Sequence, residues 1–411
     1  MTCARPGTPE RPFAPYRSAL CGSTLLMIGL SWPLWVDGFD WPRVPFLAGW
    51  PQFPRWVSWA TPGGIVGALG MASLGRAWRP MIGLGLLLLA FAILGDQDRL
   101  QPWAYQFLVI GPALACLSRA RALRVARCYV ISLYVYSGLS KLDASFVAEL
   151  GPTFLAAGLG PFGISPAGWT ATARTLAILA MPASEISVGV LLAIPATRRI
   201  GLVGSVGLHS TLILILGPWG LGHSAIVLAW NASLILENLI LFGPNVAPSE
   251  VEADTVFGPL AWAVFAAALV LPAGERSGLC DAWPAHALYA SHCERADVSL
   301  HEDELDRFPE SIRRRLDPEG IGPWRRLDLT GWSRDVRGTP VYPSARIGLA
   351  VGEFLESRYA SVRPVRVVRL GRASLLEGRR TRDEAVGLKA IRALAGQFLL
   401  NAHPAGIGGR D

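Results

Sequence analysis

The chain has 411 residues, 51% of them apolar and 17% charged, with a formal net charge of +7. A mean hydropathy of +0.36 excludes an ordinary soluble domain. Basic and acidic residues number 16 and 12 over 1–272, then 22 and 19 over 273–411. That balance is too even for a nucleic-acid surface, so the basic residues read as loops of a membrane protein.

Apolar runs follow one another from about Tyr16 to Pro272, and charges become dense from Ala273 onward. The expected fold is an all-α polytopic membrane bundle of about 8–9 transmembrane helices followed by a small extramembrane α/β region. The divisions are a cytoplasmic tail over 1–17, a transmembrane domain over 18–272 and a C-terminal extramembrane region over 273–411. The first predicted span, Ser18–Val36, is about long enough to cross a bilayer and follows Arg5, Arg11 and Arg17. Its exit, Ser31-Trp-Pro-Leu-Trp-Val-Asp37, is not a small-residue cleavage site, so it reads as an uncleaved anchor.

Trp56–Leu74, Pro80–Gly95, Leu100–Leu117 and Cys128–Leu142 follow as spans, the last three short enough to keep an eight-span count open. Before the fourth, Pro102 suits a first helical turn and Asp98 suits its cap; the rival reading makes this polar segment the lining of an outer cavity. Gly151–Pro166, rich in Gly and Pro, reads as re-entrant or surface-lying. The remaining spans are Thr175–Pro195, Ile200–Gly217, Leu221–Phe242 and Val256–Pro272.

With the N-terminus inside, eleven arginines (5, 11, 17, 76, 79, 119, 121, 124, 127, 198 and 199) fall on the inner side. Only Arg43, Arg55, Arg99, Lys141 and Arg174 fall outside, which predicts an inner N-terminus and a periplasmic C-terminal region. The loop 243–254 dissents with Glu250, Glu252 and Asp254, though acidic residues weigh little in this rule.

Lys141 is the only lysine among the first 388 residues. Arginine stays charged at any usable pH, whereas a desolvated lysine can shed its proton and act as a base. Tyr134, Ser137 and Lys141 stand at i, i+3 and i+7 on one helical stripe. The plainer reading has Lys141 snorkelling to the outer interface. Glu185 and His209 lie halfway along consecutive spans, where ionisable groups are costly and face the bundle interior. They could meet as a proton-relay pair or as a polar clamp that fixes helix packing. Glu237 shares a face with Ser233 and reads as an interfacial or packing residue.

Cys21, Cys116 and Cys128 read as small buried hydrophobes. Cys280 and Cys293 could pair in an oxidising compartment. No Cys/His spacing points to zinc, and there is no phosphate loop. Beyond 272, Tyr342–Tyr359 predicts a helix, Val365–Leu370 a strand and Thr381–Leu400 a second helix.

The segment Val135-Tyr-Ser-Gly-Leu-Ser-Lys-Leu-Asp-Ala144 resembles the lysine-bearing stretch of the vitamin K-dependent γ-carboxylase family and its bacterial relatives with the HTTM domain. Ser184-Glu-Ile-Ser-Val-Gly-Val-Leu-Leu192, Arg198-Arg-Ile-Gly-Leu202 and Leu208-His209 resemble the next stretch in order and spacing, so the likeness covers roughly 80–245. DoxX-like and MauE-like quinone-associated membrane proteins share the Gly-x-x-Lys pattern. The carboxylase resemblance implies that Lys141 takes a proton from a reduced quinone, while His209 matches a histidine of a related span to which the resemblance gives no firm role. The chain departs where the carboxylases carry a second lysine (Ser140 here) and a tryptophan (Phe146 here), and its external region is far smaller. Two functions are therefore expected: quinol- or lipid-linked proton and redox chemistry on Lys141, or a non-enzymatic DoxX/MauE-like scaffold or redox-partner subunit presenting its C-terminal domain to a periplasmic protein. No convincing inverted repeat supports a transporter. A lipid-accessible cavity around Lys141, Glu185 and His209 is the feature expected of an enzyme.

Overall fold

A computed structural model describes residues 12–36, 41–243, 253–320, 322–359 and 362–406. Arg5, Arg11, Asp37, Glu250 and Glu252 lie outside the described residues.

Nine apolar helices carry the first two-thirds of the chain: α1 (Phe13–Leu30), α2 (Arg55–Ser73), α3 (Trp78–Leu94), α4 (Pro102–Cys116) and α5 (Arg119–Leu139), then α8 (Ala171–Ala193), α9 (Arg198–Leu216), α10 (Ala225–Phe242) and α11 (Gly258–Val270). Two shorter helices, α6 (Ala144–Ala148) and α7 (Leu150–Leu159), bridge α5 and α8. Each predicted span overlaps one of these helices. Of these, α8, α9 and α10 are long and apolar enough to cross a membrane. Only 28% of α8 and 28% of α9 is buried inside the protein. Leu87, Leu176 and Val203 point outward, more than three-fifths exposed, the inside-out pattern of helices solvated by lipid.

The fifth helix begins at Arg119, not Cys128, because its arginines find partners. Arg121 pairs with Asp254 and Arg127 donates from Nε to the Leu241 carbonyl. Gly151–Pro166 is mostly helix rather than a re-entrant loop, with α7 giving way to two 3₁₀ turns. The crossing of α5 and α8 is close at two glycines. A Cβ on Gly138 would sit 2.5 Å from Ile186 Cγ1 and 2.7 Å from the Pro182 carbonyl. One on Gly189 would sit 2.9 Å from Val135. Small residues let these backbones approach.

The C-terminal region folds around a four-stranded antiparallel sheet in the order β2 (Trp324–Arg326), β1 (Arg295–His301), β3 (Arg366–Leu370) and β4 (Arg382–Val386). Val298 opposes Val367 across β1 and β3, both fully buried, as the period-2 alternation of a half-covered sheet requires. Two helices follow in this region, α12 (Leu329–Arg337) and α13 (Ala345–Arg358); α13 covers the apolar face of the sheet at Gly348, whose absent Cβ would meet the Ala296 carbonyl at 2.6 Å. The predicted helix Thr381–Leu400 divides into β4 and α14 (Leu388–Ala395), with Gly387 at φ +80° making the break.

This region packs onto the bundle in one continuous apolar core that includes Trp103 and Phe107 together with Tyr342, Ile347 and Val351. Asp98 does not cap α4, whose N-cap is Gln101 without a side-chain bond. Instead the Asp98 carboxylate accepts from Arg337 Nη1 at 2.7 Å, Trp41 Nε1 at 2.9 Å and the Tyr342 N–H at 2.8 Å. Asp96 accepts from Arg337 Nη2 at 2.5 Å. A buried guanidinium outbids a helix end, because its charge must be paired. Cys280 and Cys293 both carry free thiols, so the possible disulfide is not formed; Cys293 lies instead against Glu275, with Sγ 3.7 Å from Oε1.

Candidate functional site

A cavity of about 1160 Å³ opens where the bundle meets the C-terminal region. Helices α5, α8, α9 and α10 wall it, and the segments around Trp283–Tyr289 and Pro340–Pro343 roof it. Lys141, Glu185 and His209 all line it. Two roof residues, His286 and Tyr289, hold left-handed backbone at φ +57°, a conformation uncommon without glycine and often kept where function requires it.

Lys141 stands two residues beyond the end of α5 and is only 4% exposed, so it does not snorkel. Its side chain folds back along the helix. Nζ donates to the Ser137 carbonyl at 2.9 Å, to Ser137 Oγ at 2.7 Å, and to Glu185 Oε1 and Oε2 at 3.1 and 2.8 Å. The two Ser137 oxygens and the Glu185 carboxylate, whose oxygens share one N–H, take up the three donors of an ammonium. Of the stripe read from the sequence, Ser137 and Lys141 bond to each other and Glu185 on α8 joins them, whereas Tyr134 lines the same cavity with other partners.

Glu185 and His209 do not bond to each other. His209 instead closes a chain of neutral polar groups. Asn238 Nδ2 donates to Tyr134 Oη at 2.7 Å, and Tyr134 Oη lies 2.7 Å from His209 Nε2. Asn231 Nδ2 donates to the Val227 carbonyl, which leaves its Oδ1 to accept from His209 Nδ1 at 2.8 Å. Following the donors along this chain makes His209 a neutral imidazole protonated at Nδ1, with Tyr134 donating to Nε2. Both ring nitrogens are used. A separate knot surrounds Glu237, which is fully buried rather than interfacial. It accepts from Gln106 Nε2 at 2.6 Å and from the hydroxyls of Tyr16 and Ser23 at 3.4 Å.

Most of the cavity wall is apolar, with scattered polar residues such as Gln101, Ser184, Thr211 and Arg334. Trp103 Nε1 and His223 Nδ1 are buried and have no hydrogen-bond partner in the protein. Burial, with Arg334 adding to it, pushes His223 down to about 4.

Sequence reasoning missed a second cluster beside the cavity. His292 Nδ1 lies 2.9 Å from Asp143 Oδ2, and its Nε2 lies 2.7 Å from Glu275 Oε2. Arg276 also pairs with Asp143, at 2.9 Å, and Arg372 approaches Glu275 at 3.6 Å. Burial opposes each of these charges, yet their mutual hydrogen bonds prevail. They hold Asp143 and Glu275 below the usual carboxylate range and His292 up at about 11. Only the Asp143 end had a signal in the sequence, since it closes the lysine motif; its partners lie 132 or more residues away and carry no spacing to betray them.

A family model described as methylamine utilisation protein MauE matches residues 119–220. That stretch runs from the start of α5 past the end of α9 and contains Lys141, Glu185 and His209. No curated protein and no solved structure matches the chain. The match supports an integral membrane protein of MauE-like character and lends nothing to the carboxylase resemblance.

Proposed function

We propose that the chain is a non-enzymatic, MauE-like membrane scaffold or redox-partner subunit that holds an apolar ligand of quinone type inside its bundle. It crosses the bacterial inner membrane nine times, with the N-terminus cytoplasmic and the C-terminal domain of 273–411 periplasmic, offered to a protein partner. Contacts between loops support this topology. The connections assigned to the outer side, at Asp96–Gln101, Asp143–Glu149 and Gly222, all bond to the C-terminal region. Those assigned to the inner side bond among themselves, Ser18 with Ser73 and Ser118 with Asp254.

One observation carries the ligand reading: a large, mostly apolar cavity whose wall holds the Lys141–Glu185 pair and His209. Pockets of this size with a few converging polar groups are the usual form of small-molecule sites. The saturation of Lys141 Nζ and of both His209 nitrogens favours a fixed dipole over a working base. A second reading, quinol-linked proton chemistry with Lys141 as base and Glu185 and His209 as partners, draws on the burial of Lys141 beside that cavity.

The purified protein separates the two. A short-chain quinone should quench the fluorescence of the cavity tryptophans, and the reduced quinone should not be turned over. Oxidation by the native protein that Lys141→Arg abolishes would install the enzymatic reading, since arginine cannot take the proton.

A further inference from the structure

We propose that Glu275, His292 and Cys293 form a binding site for a divalent transition metal of the zinc type. One carboxylate oxygen, one imidazole nitrogen and one thiol sulfur can serve, all lying within 4.8 Å of one another. Ligands on one tetrahedral ion, at about 2.0–2.3 Å from it, stand roughly 3.4–3.7 Å apart. Glu275 turns one oxygen to each neighbour: Oε1 stands 3.7 Å from Cys293 Sγ, a ligand-like spacing, while Oε2 faces His292. His292 Nε2 and Glu275 Oε2, at 2.7 Å, need to part by about half an ångström or more to admit the ion.

The surroundings fit a ligand set. Metal-bound histidine almost always gives its other ring nitrogen to a carboxylate, a backbone carbonyl or a water, which fixes the ring. Asp143 does this for His292 Nδ1 at 2.9 Å, and is itself held by Arg276 and by the Ser145 hydroxyl at 2.6 Å. All three donors are shielded: Glu275 is 4% exposed and His292 1%. A divalent ion that displaces the proton shared by His292 and Glu275, and the thiol proton, leaves the net charge of the pocket unchanged. Arg276 and Arg372 can therefore keep their partners. Three protein ligands leave a fourth position open, and Cys293 also lines the cavity, so an ion here is reachable from it. The mix of N, O and S donors suits zinc or cobalt better than calcium or magnesium.

The test uses the full chain, purified in detergent and stripped with a chelator. Cobalt titration should give one equivalent of binding with a thiolate-to-metal charge-transfer band, displaced by zinc. Cys293→Ser should remove the band, Cys280→Ser should leave it, and Asp143→Asn should weaken binding by about 10- to 100-fold. X-ray absorption of the zinc-loaded native protein should show one sulfur at about 2.3 Å with nitrogen and oxygen at about 2.0–2.2 Å. This spectrum decides the matter even if a variant misfolds. No saturable binding, a zinc shell without sulfur, or a band that survives in folded Cys293→Ser overturns the proposal.

Discussion

Replacing Lys141 with methionine should destabilise the protein by about 3–5 kcal/mol, because it strands the Glu185 carboxylate, whose side chain is only 12% exposed. Glu185→Met strands the ammonium in turn, although Ser137 still offers it two oxygens at 2.7 and 2.9 Å, so this loss should fall at the lower end of that range. Methionine fills a volume similar to either side chain, so the double variant should recover to within about 1–2 kcal/mol of the native protein. The coupling energy between the two positions is then about 4–7 kcal/mol. Unfolding in mixed detergent micelles, followed by helical circular dichroism, measures all four corners of the cycle. The same four proteins titrated with a short-chain quinone separate packing from function. A stable double variant that no longer quenches assigns the pair to ligand binding, and one that quenches normally makes it a helix clamp. Single losses below about 1 kcal/mol, or a double variant whose loss is the sum of the singles, would refute the claim that these charges depend on each other.

Three further outcomes follow from the geometry. Asp143 sits below its ordinary value of 3.8, so its contribution to stability is present above that pH and lost as pH falls; His292 sits above 6.5, so its contribution is full below 6.5 and lost as pH rises towards about 11. Melting temperature against pH should therefore be flat between these limits, and His292→Gln should remove the alkaline decline, which an unchanged profile would contradict. Arg337→Leu should cost about 3–5 kcal/mol by stranding Asp96 and Asp98, and limited proteolysis should then cut the C-terminal region faster than in the native protein. Gly138→Val should overpack the α5–α8 crossing against Ile186 and the Pro182 carbonyl, costing at least about 1–3 kcal/mol in the same micelle assay, whereas Gly207→Val, where nothing lies within 4 Å, should cost less.

The legible part of the fold was its long-period signal. Runs such as Thr175–Pro195 and Ile200–Gly217 announce α8 and α9 to within a few residues, because lipid demands unbroken apolar helix. Where a helix could pay for charge through distant partners, the reading failed: Arg119–Arg127 looked like a loop because Asp254 and the Leu241 carbonyl are invisible from their own neighbourhood. Spacing along α5 brought Ser137 to Lys141, but Tyr134 bonds to His209 and Asn238 instead, and the same local logic wrongly gave Asp98 to the adjacent helix. Glu185 and His209 were both rightly placed inside the bundle. Which partner each would choose depended on the rotation of α8 and α9 about their axes, set by close approaches such as Gly189, which periodicity does not encode.

The bond from Arg337 to Asp98 joins residues 239 positions apart, and its timing during translation matters. At about 5–20 residues per second, the connection between α3 and α4 leaves the ribosome roughly 10–50 seconds before the guanidinium that neutralises it exists. Until then two carboxylates and the Trp41 indole must stay hydrated, so this patch is wet while the nascent chain is inserted and dries only when the last third of the polypeptide arrives. A ribosome-stalled chain ending before residue 337 would leave that patch open to water, and nonsense mutations late in the gene should harm the whole protein rather than merely shorten it.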